Sequence, residues 1–271
     1  MISRTQKNLL PSYALLVVFS LVSVFPFIWL IIGATNANID ILRGSMTFGT
    51  ELAANWQKLN DLVNLPLVLW NTIKVTMLGT LLTLLVASMA GYGFEIFKSR
   101  ARERVYQLVL LTLMIPFAAL MIPLFKIFAT IGLLDTHAAV IIPTIASVFI
   151  IFYFRQASKA FPSELREAAR VDGMKEWQIF FYIYMPVMKS TYAAAFIIMF
   201  MTNWNNYLWP LIVLQSEDTK TITLVISSLA SAYSPDYGVV LTGTLVATIP
   251  TLIVFLIMQR HFVHGMTGSV K

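Results

Sequence analysis

Long apolar runs and short polar ones alternate along this chain six times, the apolar runs falling at roughly 13–35, 68–94, 106–130, 138–154, 186–214 and 238–263. A helix needs ~20 mostly apolar residues to cross the hydrocarbon of a bilayer, and lipid leaves a spanning backbone no hydrogen-bond partner but itself. The pattern therefore predicts an all-α, polytopic membrane protein with six transmembrane helices. The first run is too long for the apolar core of a signal peptide and is read as the first span. The run 138–154 is the shortest and contains Pro143, so a re-entrant hairpin is its alternative. Removing it would put the basic stretch that follows on the wrong side of the membrane, so it is kept as a span. Pro26, Pro116, Pro123, Pro143 and Pro250 all lie inside runs, where they kink helices and leave carbonyls for neighbours to satisfy.

Composition agrees. Of the 271 residues 58% are hydrophobic and 12% charged, against about a quarter charged in a soluble domain. The net charge of +6 would suit nucleic acid, but its distribution says otherwise. With the N-terminus inside, the inner segments hold Arg4, Lys7, Lys98, Arg100, Arg102, Arg104, Arg155, Lys159, Arg166, Arg170, Lys175, Lys189, Arg260 and Lys271. The outer ones hold only Arg43, Lys58, Lys126 and Lys220. Cytoplasmic loops carry the excess of lysine and arginine, so both termini are expected in the cytoplasm. These cations are expected to fix topology and to meet anionic lipid headgroups; no nucleic-acid partner is implied. The absence of cysteine excludes disulfides, thiolate metal sites and cysteine nucleophiles.

One polar island, residues 155–189, is too well patterned for a slack linker. Pro162 and Ser163 open a short helix, with Ser163 the expected N-cap and Glu164 near the positive helix end. Leu165, Ala168, Ala169 and Asp172 fall at helical spacing, and the twin alanines leave a face small enough for another surface to approach. Gly173 supplies the left-handed residue that ends such a helix. A second amphipathic helix follows from about Lys175, with Trp177, Phe180, Phe181 and Tyr184 as its bulky residues, and Pro186 marks the return to the membrane. On composition alone this is a pair of interfacial helices lying on the inner leaflet.

Spacing points further. Glu167, Ala168, Ala169, Gly173, Ile183 and Pro186 fit E-A-A-x3-G-x9-I-x-x-P. In these residues the chain resembles the binding-protein-dependent ABC permeases of the MetI-like fold, whose corresponding helix docks into a groove of the motor subunit. The strings WNTIKVT at 70–76, AGYGFEIFKSRAR at 90–102, MIPLFKIFATIGLLDTHAAVIIP at 121–143, FYFRQASKAFPSELREAARVDG at 152–173, WNNYLWPLIVL at 204–214 and QRHFVHGMTGSVK at 259–271 are similar to the carbohydrate uptake transporter 1 family. Within it they resemble the smaller permease of maltose-type systems. The chain departs at Met185, where leucine is frequent, and at residues 157–160, where aromatics are common.

The resemblance implies a permease subunit, not an enzyme, forming half of a translocation pathway for a sugar or oligosaccharide; glycerol phosphate or its diesters are the alternative cargo. It implies a second homologous permease, an ATP-binding subunit dimer that holds the ATP and Mg with no cofactor in this chain, and an extracytoplasmic solute-binding protein. It also implies a multi-pass place in the plasma (inner) membrane of a bacterium or archaeon. Carried over by position, Glu167 makes a charged contact with the ATPase, Ala168 and Ala169 permit docking, Gly173 makes the turn, and Asp172, Ile183 and Pro186 complete the coupling set. The implied divisions are an N-terminal helix and first external loop at 1–67, a MetI-like domain at 68–265 containing the coupling loop, and a tail at 266–271.

Asn203, Asn205, Asn206 and Tyr207, with Trp204 and Trp209, lie near the outer end of the fifth run. An aromatic belt with asparagines bonding neighbouring helices is the favoured reading; a pore wall meeting sugar hydroxyls is the functional alternative. Lys74 is read as snorkelling, and His137, His261 and His264 as solvated or facing headgroups. An ion-coupled transporter would need titratable groups at the midplane, and no carboxylate lies deep in the runs. No nucleophile with a base, no carboxylate pair and no histidine-rich metal site is present to suggest an intramembrane enzyme.

Overall fold

A computed structural model describes the backbone from Leu10 to Met266. Arg4, Lys7, Lys271 and all of the expected tail at 266–271 after Met266 lie outside the described residues, as do the side chains of Arg260, His261 and His264. Every regular element among the described residues is helical. α1 spans Leu10–Ala34, α2 Asn38–Leu42, α3 Leu52–Leu62, α4 Leu65–Ile96, α5 Arg100–Leu111, α6 Phe117–Thr130, α7 His137–Ile145 and α8 Val148–Ser158. After the polar island come α11 Lys189–Trp204, α12 Leu208–Val213, α13 Ile222–Ala230 and α14 Tyr237–Met266; within it lie α9 Ser163–Val171 and α10 Glu176–Val187.

Among the described residues four helices are long and apolar enough to cross a membrane: Pro11–Ala34, Leu65–Ile96, His137–Ser158 and Tyr237–Gln259. Two more spans are broken. The run expected at 106–130 bends by 102° between Met114 and Phe117. Pro116 accounts for the break: it lacks an N–H, and its ring pushes Ile115 into extended backbone (φ −87, ψ 115), which no helix can continue through. The run expected at 186–214 bends by 81° at Met188. So the return to an apolar helix begins at Lys189, three residues after Pro186, and a separate short helix, α12, ends that run.

The fourth span is a helix pair with a step at Ala146 and Ser147. Pro143 cannot donate to the carbonyl of Ala139, four residues back. The indole of Trp209 donates to that oxygen at 2.8 Å. Trp209 is 1% exposed and Trp204 2%, so these tryptophans are core residues and not an interfacial belt. Proline chemistry in one helix thus fixes where α12 packs.

The chain forms two compact units, one of residues up to Leu65 together with Val225–Ile249, the other of Pro66–Leu224 together with Pro250 onward. In the first, the buried Asn55 amide donates to the carbonyls of Ala34 and Asn36 at 3.0 Å each, tying α3 to the end of α1. Gly238 lies so close that a Cβ there would stand 2.7 Å from that amide. In the second, one face of α4 is a buried stripe of Thr72, Thr76, Thr80, Thr83, Ala87 and Ser88, small enough for close helix approach.

Also in the second unit, residues 215–219 are fastened by Asp135, which takes a left-handed φ of 59. Its carboxylate accepts from the Ser216 hydroxyl, the amides of Ser216 and Gln215 at 3.0 and 2.8 Å, and the Thr219 hydroxyl at 2.7 Å. These donors, Ser216 foremost, hold the carboxyl well below the usual carboxylate range. His137, expected in solvent, is half-buried with its ring against the Thr219 carbonyl at 3.1 Å. A carboxyl whose pKa falls on folding stabilises fully above its unfolded value near ~4 and loses that contribution as pH falls below it. Exchange of the Gln215 and Ser216 amides, taken relative to the intrinsic rate at each pH, should therefore be slow at neutral pH and speed up through the acid range. In Asp135→Asn it should already be fast at pH 7, and equal protection in the variant would refute the clamp.

Candidate functional site

The polar island folds into an elbow. α9 begins at Ser163, which sits inside the first turn and makes no side-chain cap bond; Pro162, in extended backbone, occupies the flanking position instead. The helix ends at Gly173 with φ +82. The Gly173 amide donates to the Arg170 carbonyl at 3.0 Å and the Met174 amide to the Ala169 carbonyl at 2.9 Å, the paired bonds of a Schellman turn. The expectation for Gly173 thus holds atom by atom.

The twin alanines divide rather than share a face: Ala169 is buried against its own chain while Ala168 is exposed. Glu167, Asp172 and Gly173 are exposed with it, and Leu165 and Val171 add 41% and 88% exposed apolar surface. α9 therefore presents an outward strip of Leu165, Ala168 and Val171 flanked by the Glu167 and Asp172 carboxylates. Ile183 packs inward on a cluster of Tyr92, Phe161, Phe180, Tyr184 and Met188, whereas Pro186 is exposed.

α10 seats the elbow. Its middle, Phe180–Tyr184, is a π-helix, a form the apolar periodicity did not foretell. Pro186 cannot donate to the Tyr182 carbonyl, and a widened turn just before it accommodates that gap. Phe180 and Tyr184 stack at 5.4 Å, Tyr92 meets Tyr184 at 4.7 Å, and the Tyr184 and Ser158 hydroxyls lie 2.6 Å apart. The neighbouring ends of α4 and α8 are thereby knit to the elbow by aromatic packing and one hydroxyl pair.

Charge completes it. Arg155, expected to meet headgroups, is 6% exposed. It pairs with Glu103 at 2.6 Å and Glu95 at 3.4 Å, its guanidinium 3.8 Å over the Tyr106 ring. Arg166 and Arg170 both reach Glu176. Sequence reasoning passed over Glu95, Glu103 and Glu176, although arginines at 166 and 170, one helical turn apart on the same face, were the available signal.

The second expected group separates. Asn203 and Asn206 line a cavity of about 380 Å³ with Thr144, Ser147, Thr202, Phe149 and Trp209; Asn205 and Tyr207 are not among its lining residues. The Asn203 amide donates to the Thr80 hydroxyl at 3.1 Å, and the exposed Asn205 amide turns back to the Met201 carbonyl at 2.9 Å. No lysine, arginine or carboxylate lines the cavity, and the described residues hold no cluster of three or more metal-ligating side chains of His, Cys, Asp or Glu.

Residues 84–268 match the family described as binding-protein-dependent transport system inner membrane component. The chain is 67% identical over 259 residues to the lactose transport system permease protein LacG of Rhizobium radiobacter, covering 96% of this chain and 95% of that one. It is 34% identical to the arabinooligosaccharides transport system permease protein AraQ of Bacillus subtilis, covering 93% and 92%. A chain in the crystal structure of a bacterial ABC transporter involved in the import of the acidic polysaccharide alginate shares its fold, with a TM-score of 0.82 at 22% identity over 97% of this chain and 99% of that one. The chain belongs to the inner-membrane components of binding-protein-dependent transport systems: it is a multi-pass, MetI-like permease subunit of an ABC importer, and not an enzyme.

Proposed function

We propose that this subunit forms half of the pathway for a neutral oligosaccharide, lactose or a close relative, and that the elbow at 155–189 is where ATP hydrolysis drives it. A second homologous permease completes the pore. A dimer of ATP-binding subunits, carrying the ATP and Mg, receives α9, and an extracytoplasmic binding protein delivers the sugar. Both termini face the cytoplasm, on the side where the basic segments gather. The single observation that carries the coupling role is the outward strip on α9: a short, terminated helix exposing Leu165, Ala168 and Val171 between the carboxylates of Glu167 and Asp172. Such a strip suits a groove in a partner.

The cargo reading rests on the 67% identity to a lactose permease and on the cavity. Aromatic faces beside amides and hydroxyls suit a sugar, and the lack of any cation in the lining disfavours a phosphate ester. Asn203 and Asn206 are the translocation-path residues this supports, while Asn205 and Tyr207 take supporting places nearby. Asn206→Leu should raise the KM for lactose uptake several-fold at unchanged complex yield, a lost neutral hydrogen bond being worth about 1 kcal/mol. An unchanged KM would remove Asn206 from the path.

The deciding experiment is uptake by proteoliposomes holding the complete complex, with lactose-loaded binding protein outside. Lactose should enter only with ATP and Mg inside, and glycerol phosphate should not compete. Uptake driven by an ion gradient without nucleotide would overturn the reading.

A further inference from the structure

α9 needs an anchor besides its docking strip. Of its nine residues, only Ala169 is buried, and isolated helices of this length are unstable in water. Packing alone cannot make such a helix move with the rest of the bundle. The connection to α10 is four residues long, 172–175, and contains the glycine turn, so bending at Gly173 is the mode of failure to be prevented.

One carboxylate stands at that bend. Glu176, the first residue of α10, accepts from Arg166 through both oxygens, at 2.9 Å from Nη2 and 3.3 Å from Nε. It accepts from Arg170 Nε at 2.7 Å and from the Tyr92 hydroxyl of α4 at 3.3 Å. The Arg166 guanidinium lies 5.1 Å over the Phe97 ring, just past the end of α4. The Arg166 side chain is 16% exposed and that of Glu176 33%. A single exposed ion pair contributes little. A forked arginine bond on a partly buried carboxylate, with a second arginine and a phenol on the same group, is stronger and fixes orientation.

We propose that Glu176 is a positioning residue for coupling: it locks α9 to α10 and both to α4, so that a push on α9 reaches the spans instead of being lost at Gly173. This rests on the elbow reading above and adds a residue outside its docking strip. No covalent step is involved. Without the lock, the motor would still dock and turn over, and its stroke would bend the elbow.

The test uses the complete purified complex in proteoliposomes, with lactose-loaded binding protein as the probe. Glu176→Ala should keep its ATPase subunits and its binding-protein-stimulated hydrolysis. Lactose imported per ATP consumed should fall about tenfold, in line with the loss of charged hydrogen bonds. Glu176→Gln, which can still bond Tyr92 and one arginine, should recover part of that ratio. Because the chain has no cysteine, Ser163→Cys, at the exposed start of α9 and outside the docking strip, and Lys98→Cys can carry the only spin labels in it. Their distance distribution should broaden when Glu176→Ala is added. A wild-type ratio of sugar to ATP, or an unbroadened distribution, would overturn the proposal. So would loss of the ATPase subunits, which would place Glu176 in the docking surface. Glu167→Lys run in parallel separates the two ideas: normal uptake there would sink the elbow reading itself.

Discussion

Gly173→Pro is expected to abolish lactose uptake while leaving the chain in the membrane at normal level. Gly173 holds φ +82 with nothing within 4 Å of where a Cβ would stand, so backbone conformation alone makes glycine necessary. Proline fixes φ near −65° and removes the N–H that closes the turn on Arg170. The cost, ~3 kcal/mol or more, falls on a short helix whose anchors are one buried alanine and the partly buried Glu176 cluster. Gly173→Asn, which tolerates the left-handed region, should keep most of the activity, and Gly173→Ala should fall between. Uptake rates normalised to membrane-inserted protein test the series. Normal transport by the proline variant would show that the turn has no part in coupling.

Arg155→Met should be the most destabilising single change among the charged residues. It would remove the 8% exposed Arg155 side chain that answers the 7% exposed Glu95 from α8, leaving that carboxylate only its pair with the exposed Lys98. Breaking a buried pair from one side costs about 3–5 kcal/mol, whereas replacing both partners with apolar groups is often neutral. The double variant Arg155→Met with Glu95→Met should therefore unfold closer to wild type than the single one. Glu103→Gln, at a side chain 46% exposed, should be the mildest of the three, since exposed ion pairs contribute little. Thermal unfolding in detergent ranks the three, and a single variant as stable as the double would refute the burial argument. The approach of α4 to α8 is part of the same arrangement: a Cβ on Gly91 would meet the Arg155 backbone nitrogen and Phe154 at 2.7 Å.

Span existence, the glycine stop of α9 and the family were legible because each depends on local composition or fixed spacing. Length and apolarity mark 238–263 as a helix whatever it packs on, and Gly173 ends α9 for reasons contained in its own backbone. What was not legible depends on a second segment. Nothing near Arg155 says that Glu95, sixty positions earlier, will meet it, so it read as one more topology-setting cation. The indole of Trp209 looked like a belt residue because its acceptor lies seventy positions away. The 102° bend is an intermediate case: Pro116 was in view, but a proline in lipid can bend a helix or break it, and only the extended backbone at Ile115 decides.

The bond from the Trp209 indole to Ala139 makes residues 143 and 209 one decision instead of two. With an ordinary amide at 143 the oxygen would be met from within its own helix and the indole would be spare. With proline there, any side chain at 209 that cannot donate leaves a bare dipole sealed from water. Ring closure on one helix of the bundle is thus answered by a heterocycle on another, and neither is free to change first.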